Sequence, residues 1–595
     1  ELRAPDLELN VLVSIEDVTG RVNRAVKAGS SSAEASDARR REIAAIEKES
    51  ADATGLRSDV VTLYQGGQYN LYRYKKYTDV RLVFAPELDI AFFGGDPDNF
   101  NFPRYNLDAA FFRVYENDKP VSPESYFRWS TAGAKEGELV FVSGHPGSTQ
   151  RLNTIAHLEF LRDTEVPFLV KLLERELATL RRYSATGEEQ ARRAQEEILS
   201  LENSLKVYRG RAEGLRDKTL LARKLKAEQS LRATIARDPA RQKEYGEAWD
   251  QIARGRKAFP GYYLDYRFTE GSAGFNSELW GYARTLVRLA AEGAKPDAER
   301  LPEYTDARRA SLELKLFSPA QVYADMEKVK LADSLAFMRE ELGAEHPLVK
   351  QALAGKTPEA RAAELIDGTK LMDVTYRKEL ASGGAKAVEE SKDPLIALAR
   401  EIDERARALR HRYETEVLSN ERANYARVSR ALFDLEGTRL YPDATFTLRL
   451  SYGAVKGYKE SNGKTVAPFT TFGGLYEHAA AHGNKPPYKL PARWVGKRSA
   501  LNLKTPFNFV STNDIIGGNS GSPTINRNGE IVGLIFDGNI QSLMGNFIYD
   551  ESVNRAISVD SRGIIEALGK VYGASELVEE LTRQSQPAAS AGRLR

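Results

Sequence analysis

The sequence predicts a mainly β protein: a double β-barrel whose two halves are separated in the chain by a large inserted all-α domain. Three observations predict it. Apolar residues alternate with polar ones near both ends of the chain, they recur every three or four residues through the middle, and 595 residues exceed what one hydrophobic core holds.

The first element is a strand. Leu7, Leu9, Val11, Val13 and Ile15 are apolar while Glu8, Asn10 and Ser14 are polar, the period of a half-buried strand. Residues 30–58, rich in Ala, Ser, Glu and Arg, predict a helix. Short β-branched and aromatic runs follow at Val80–Phe84, Leu88–Phe93, Leu107–Tyr115 and Leu139–Ser143, separated by Gly, Pro, Asn and Asp. Near residue 154 the period changes, with Val166, Leu169, Leu173, Leu177 and Leu180 spaced by three and four. Helices then continue to about residue 435, interrupted at Phe259-Pro260-Gly261 and Ser382-Gly383-Gly384. At Phe446, Leu448, Leu450 and Tyr452 the period returns to two. Asn528-Gly529 marks a hairpin turn between Thr524-Ile525 and Glu530–Phe536, and a helix is expected near Ser561–Tyr572. The domains expected are 1–153 (first β half), 154–437 (helical insertion), 438–575 (second β half with its helix) and 576–595, a tail whose Ala, Ser and Gly content after Gln584 predicts disorder.

Composition narrows function by exclusion. Lys plus Arg (86) balance Asp plus Glu (84), so overall charge recruits neither nucleic acid nor an anionic membrane. No apolar run reaches the roughly 20 residues that span a bilayer. Cysteine is absent, which removes thiol chemistry, Cys-ligated zinc and disulfides. The six histidines are scattered, no metal set or phosphate-binding Gly-Lys loop stands out, and no cofactor is expected.

The sharpest local signal is Gly517-Gly518-Asn519-Ser520-Gly521-Ser522-Pro523, between the apolar run Phe507–Ser511 and the hairpin. Glycines let the backbone turn tightly enough to expose Ser520 Oγ, while the amides of Gly518 and Ser520 converge as an oxyanion hole. Taken alone, the same residues would also make an ordinary turn. A second candidate is Asp108, leading into an apolar strand of the first β half, where an acid that orients a histidine is wanted; its alternative is a strand-edge turn carboxylate. Acid in the first half and serine in the second is the chymotrypsin-like order.

Several motifs together carry a resemblance. Phe93-Gly94-Gly95-Asp96-Pro97-Asp98-Asn99-Phe100, Pro103-Arg104-Tyr105-Asn106-Leu107-Asp108, Ser143-Gly144-His145-Pro146-Gly147 and Asn513–Pro523, followed by Phe536-Asp537-Gly538-Asn539, resemble the S46 peptidases, bacterial dipeptidyl peptidases. The resemblance implies a chymotrypsin-like double barrel, periplasmic or secreted, that releases dipeptides from the free N-termini of peptide substrates. It makes Ser520 the nucleophile and Asp108 the acid that orients the histidine. It places Asn99, Asp537 and, from the helical block, Asn203 around the substrate's α-ammonium. Gly538 stands where members that cut after acidic residues carry Arg, which implies hydrophobic or neutral P1 residues. A homodimer is compatible with this reading.

One departure stands out. The family's histidine motif precedes the first strands, whereas His145, His157, His346, His411, His478 and His482 all follow Asp108. The catalytic histidine is therefore expected upstream of Glu1, and His145 is read as structural. Two alternatives to the dipeptidyl peptidase stay open: a peptide-binding homologue without catalysis, and an endopeptidase of the same barrel type.

Overall fold

The computed structural model describes residues 1–27, 29–30, 32–436 and 441–583. The boundary expected at 437/438 and the tail after Gln584 lie outside them. The chain divides into two compact units. One comprises residues 4–80 and 152–443; the other comprises 1–3, 81–151 and 444 onward. Helices account for about 56% of the chain, and no helix among the described residues is long and apolar enough to cross a membrane.

The helical unit starts with a three-stranded antiparallel sheet in the order Leu9–Asp17, Gln68–Tyr77, Arg57–Leu63. Its first strand is where the alternation predicts one, but its apolar face is not the buried one. Leu9, Val11, Val13 and Ile15 are 36 to 56% exposed, while Val18, Val22, Ile46, Tyr69 and Leu71 form a core with the helix Ser32–Thr54. A period of two fixes a strand but not which face its neighbours cover. Residues 4–80 thus pack with the helices rather than with the strands that follow.

From Ile155 the chain is helical to Glu436. Val166–Ser184 buries Val166, Leu177 and Leu180 of the predicted stripe, but on its other side it buries Phe168 and Leu172, while Leu169 and Leu173 are only half-buried, because neighbours cover the helix on more than one face. Starts are fixed by side-chain caps: Asp217, Asp238, Ser277 and Asp393 each accept from an amide of the first turn. Phe259–Tyr262 is a single 3₁₀ turn, and Val374–Glu390 is kinked at Gly384, so both interruptions fall where the sequence breaks.

The other unit holds three sheets among its described residues, one of them only the pair Tyr458–Lys459 and Thr465–Val466. Of the other two, the smaller runs Leu2–Ala4, Asp79–Phe84, Phe111–Glu116, Lys119–Pro120. The larger has eight strands: β1 (Arg128–Trp129), β2 (Leu139–Gly144), β3 (Arg449–Ala454), β4 (Phe469–Thr471), β5 (Pro506–Ser511), β6 (Pro523–Asn526), β7 (Glu530–Gly538) and β8 (Ala556–Asp560). Their order is β3-β2-β6-β7-β8-β5-β4, with β1 parallel to β7. Strands from before and after the helical stretch therefore share one sheet. Val142, for example, pairs with Ser451 on one side and Thr524 on the other. The edge strand β3 turns Leu450 and Tyr452 outward, 66 and 75% exposed.

Asn528-Gly529 closes the β6–β7 hairpin, with Gly529 at φ +69°. The core of this unit gathers Phe93, Leu107, Phe472, Trp494, Phe507, Val559, Ile564 and Leu568. Burying each such aromatic contributes on the order of 2–3 kcal/mol. Residues 576–583, assigned to the tail by composition, include the helix Ser575–Thr582. Its Leu577, Val578 and Leu581 pack on that core at the spacing of one helical face.

Candidate active site

Ser520 lies in the loop between β5 and β6 and is exposed. The loop is a closed turn: Asn519 donates to the Ile516 carbonyl from its backbone nitrogen (3.1 Å) and its Nδ2 (2.9 Å). The Ser522 amide donates to the Asn519 carbonyl at 2.9 Å. Two further bonds fasten the loop to β7, Gly521 N–H to the Ile535 carbonyl (2.7 Å) and Ile535 N–H to the Ser522 carbonyl (2.9 Å). At its start, Arg151 grips Asp514 through two bonds of 2.5 and 2.8 Å.

Gly518 must be glycine. Its φ is +103°, and a Cβ there would lie 2.6 Å from the His145 carbonyl oxygen and 2.7 Å from the Gly147 nitrogen. The Gly-His-Pro-Gly turn is pressed against the serine loop and tied to it by the Gly147 amide, which donates to the Gly517 carbonyl at 2.8 Å. The His145 carbonyl lies against Gly518, while the bond to the loop comes from Gly147. The His145 ring lies 6.3 Å from that of Phe446, and burial lowers its pKa. Among the described residues no backbone carbonyl accepts from the amides of Gly518 or Ser520. Both are available to an oxyanion, the arrangement that acyl transfer requires.

Two residues beyond Ile535 on the same strand stands Asp537, which organises the second half of the site. Its Oδ2 accepts from Arg104 Nη1 (2.5 Å) and from the Phe100 amide (3.0 Å), and its Oδ1 from the Gly538 amide (2.8 Å). Arg104 also donates to the Asp98 carbonyl (2.9 Å) and to Asn106 Oδ1 (3.1 Å). The side chains of Arg104 and Asp537 are 2 and 5% exposed, so this is a buried, hydrogen-bonded ion pair. It holds Asn99 and Phe100, the latter at φ +58°, beside the end of β7. Asn106 and Asn508 lock the same segment to β5, exchanging two 2.8 Å bonds between side-chain amide and backbone.

Asn99 is buried at the end of the short helix Gly95–Asp98. Asp108 follows the Arg104–Asn106 turn and is exposed at its surface. Crowding by the surrounding protein nevertheless pushes its pKa up to about 6; Arg104 opposes that rise and Asp537 adds to it. Asp108, Arg104 and Asp537 thus lie within one another's electrostatic reach, and Asp537 shares a strand with the residue that fastens the serine loop. Asn203 is exposed on the helix Glu188–Arg216 of the helical unit.

Gly538 is buried, and a Cβ there would sit 2.5 Å from Ser542 Oγ, itself donating to the Asn539 carbonyl at 2.6 Å. Arg104, Asn106 and Asn508 belong to this framework but carry no pattern that assigns them a role from sequence. A buried arginine looks like any surface arginine until its partner, 433 positions away, is known.

A pH prediction follows from Asp108. The folded protein holds its proton more tightly than the unfolded chain, so protonation between about 6 and the ordinary value near 4 favours the folded state. If the ionised form is the working one, kcat/KM falls as the pH drops through about 6 while thermal stability does not fall on account of this group. A pH–rate profile measured beside melting curves checks this, and Asp108→Asn is expected to abolish that limb of the profile.

Comparison with known proteins agrees with this architecture. The fold is that of solved peptidase structures: Porphyromonas endodontalis DPP11 in complex with the dipeptide Arg-Glu superposes with a TM-score of 0.76 at 24% identity, covering 98% of this chain and 86% of that one. A structure of the same protein with Arg-Asp gives 0.77 at 22% identity and the same coverage. Among curated proteins, the Asp/Glu-specific dipeptidyl-peptidase of Shewanella putrefaciens is 29% identical over 88% of this chain and 77% of its own. Dipeptidyl-peptidase 7 of Phocaeicola vulgatus is 27% identical over 98% and 84%. The class is therefore a peptidase. The Peptidase S46 family model matches residues 1–583, and the chain belongs to that family.

Proposed function

We propose that this chain is a serine dipeptidyl-peptidase, periplasmic or secreted, that removes dipeptides from the free N-termini of peptides through an acyl-enzyme on Ser520. The observation that carries the reading is the exposed serine on a braced glycine turn with two unengaged amides, fastened to the strand that bears Asp537. Ser520 Oγ attacks the scissile carbonyl, its proton passing to a histidine base that Asp108 orients and that the S46 motif order places ahead of Glu1. The developing oxyanion is met by the Gly518 and Ser520 amides, and water then releases the dipeptide. The four-stranded and eight-stranded sheets are read as a chymotrypsin-like pair of barrels, with the helices as the inserted domain.

Asn99 and Asp537 hold the substrate's α-ammonium. Asp537 Oδ1 has one bond, from the Gly538 amide, and a carboxylate oxygen has a second lone pair to offer. Gly538 brings no charge into the adjoining pocket, and any side chain there would have to displace Ser542. The arrangement favours a hydrophobic or neutral P1 residue over Asp or Glu.

The test, on protein that includes the histidine motif expected ahead of Glu1, compares fluorogenic dipeptidyl substrates with their N-acetylated counterparts. Free substrates are expected to turn over at least about 10²-fold faster, because an acetylated amine leaves the buried acceptors unpaired. Equal rates would instead identify an endopeptidase. Absence of turnover, together with no labelling of Ser520 by a serine-reactive phosphonate, would identify a binding protein.

A further inference from the structure

We propose that the helical unit contains a second binding site: an open cavity of about 510 Å³ that takes a short zwitterionic peptide, its carboxylate on Arg267 and its ammonium on Glu176. The cavity lies among the helices Val166–Ser184, Tyr263–Phe268 and Glu278–Gly293, which contribute Glu176, Arg267 and Trp280 to its wall.

Most charges around this cavity are matched. Arg284 pairs with Glu270 at 2.7 Å, Arg288 with Glu270 and Asp403 at 2.6 and 2.7 Å, and Glu303 with Arg410 at 2.5 Å. Two opposite groups are left over. Arg267 has a buried Nε without a partner and no carboxylate within ion-pair distance among the described residues; its guanidinium faces the Phe168 ring at 5.6 Å. Among the described residues Glu176 accepts one bond, 3.0 Å from Asn276 Nδ2, and has no cation at ion-pair distance. Burial, together with Glu197 and Asp333, pushes its pKa up to about 7 against Lys330 and Arg267.

Trp280 adds a third unmet group. It is 2% exposed, yet its Nε1–H finds no acceptor among the described residues. A buried donor without a partner is destabilising, so an unmatched cation, an unmatched anion and an orphan N–H lining one cavity describe a site that a polar occupant completes. An occupant with a carboxylate and an ammonium at its two ends satisfies both charges, and the volume falls within the usual range of small-ligand sites.

The choice of a dipeptide as probe rests on the proposed peptidase reading, whereas the charge argument does not. The test is isothermal titration of the full chain carrying Ser520→Ala, which prevents turnover, with glycyl-leucine, N-acetylglycyl-leucine and glycyl-leucinamide. At least one binding event of glycyl-leucine is expected to weaken at least tenfold in Arg267→Met and again in Glu176→Gln, with each blocked analogue weakened similarly at that event. If the active site also holds dipeptide, a second event remains that neither variant touches; if the peptidase reading is wrong, the event that tracks Arg267 remains alone. Should Arg267→Met fail to fold by its melting curve, Glu176→Gln with the amidated analogue decides. Loss of no event in either variant overturns the proposal and leaves a cavity filled by solvent.

Discussion

Replacing Ser520 by Ala is expected to lower kcat/KM by at least about 10⁴-fold while leaving the melting temperature unchanged. The first half of the prediction follows from chemistry: without the hydroxyl no acyl-enzyme forms, and what remains is binding and oxyanion stabilisation alone. The second half follows from structure. Ser520 is exposed, and the turn that presents it is held by Asn519, Gly521 and Ser522 rather than by its own side chain. Steady-state kinetics and a thermal melt on the same preparation check both halves. Retained activity in a folded Ser520→Ala protein would move the nucleophile elsewhere and with it the whole reading of the glycine turn.

Arg104→Met is expected to be the most destabilising single change in the β unit. It leaves the Asp537 carboxylate buried without its cation, and breaking one side of a buried pair costs about 3–5 kcal/mol. At roughly 2–4 °C per kcal/mol for a unit of this size, the melting temperature should drop by about 6–20 °C. The double variant Arg104→Met with Asp537→Asn is expected to recover much of that loss, since no unpaired charge remains. Activity should not return with stability, because Asp537 no longer offers a carboxylate and the Asn99–Phe100 segment loses its tether. A double-mutant cycle by thermal or urea unfolding measures the coupling, and near-additive losses would show that the pair is not the unit drawn here.

Much of the fold was legible in residue patterns. The change of period near 154, the helical spacing from Val166 to Leu180 and the Asn528-Gly529 hairpin reflect local geometry, and they reappear as the helix Val166–Ser184 and the β6–β7 turn. Facing was not legible. Val11, Val13, Leu450 and Tyr452 alternate as a core-facing strand would, yet are exposed, because which side of a strand is covered depends on partners far away in the chain. The placement of 4–80 with the helices was hidden for the same reason.

At the site, the glycine turn around Ser520 announced itself because its backbone demands particular residues. The buried pair did not. Arg104 sits in a polar loop with no periodicity, and only the three-dimensional approach of β7 gives it a partner. The Asn106–Asn508 exchange is equally silent, since asparagine in a loop ordinarily reads as turn chemistry.

The order of strands in the large sheet has a consequence for how the molecule comes into being. β2 emerges from the ribosome long before β3 and β6, between which it finally lies. At about 5–20 residues per second it waits roughly 15–60 s with both edges unpaired, a template for wrong partners until the last quarter of the chain arrives. The Gly-His-Pro-Gly turn is likewise made early and the Ser520 loop it touches late, so that loop meets a brace already waiting for it.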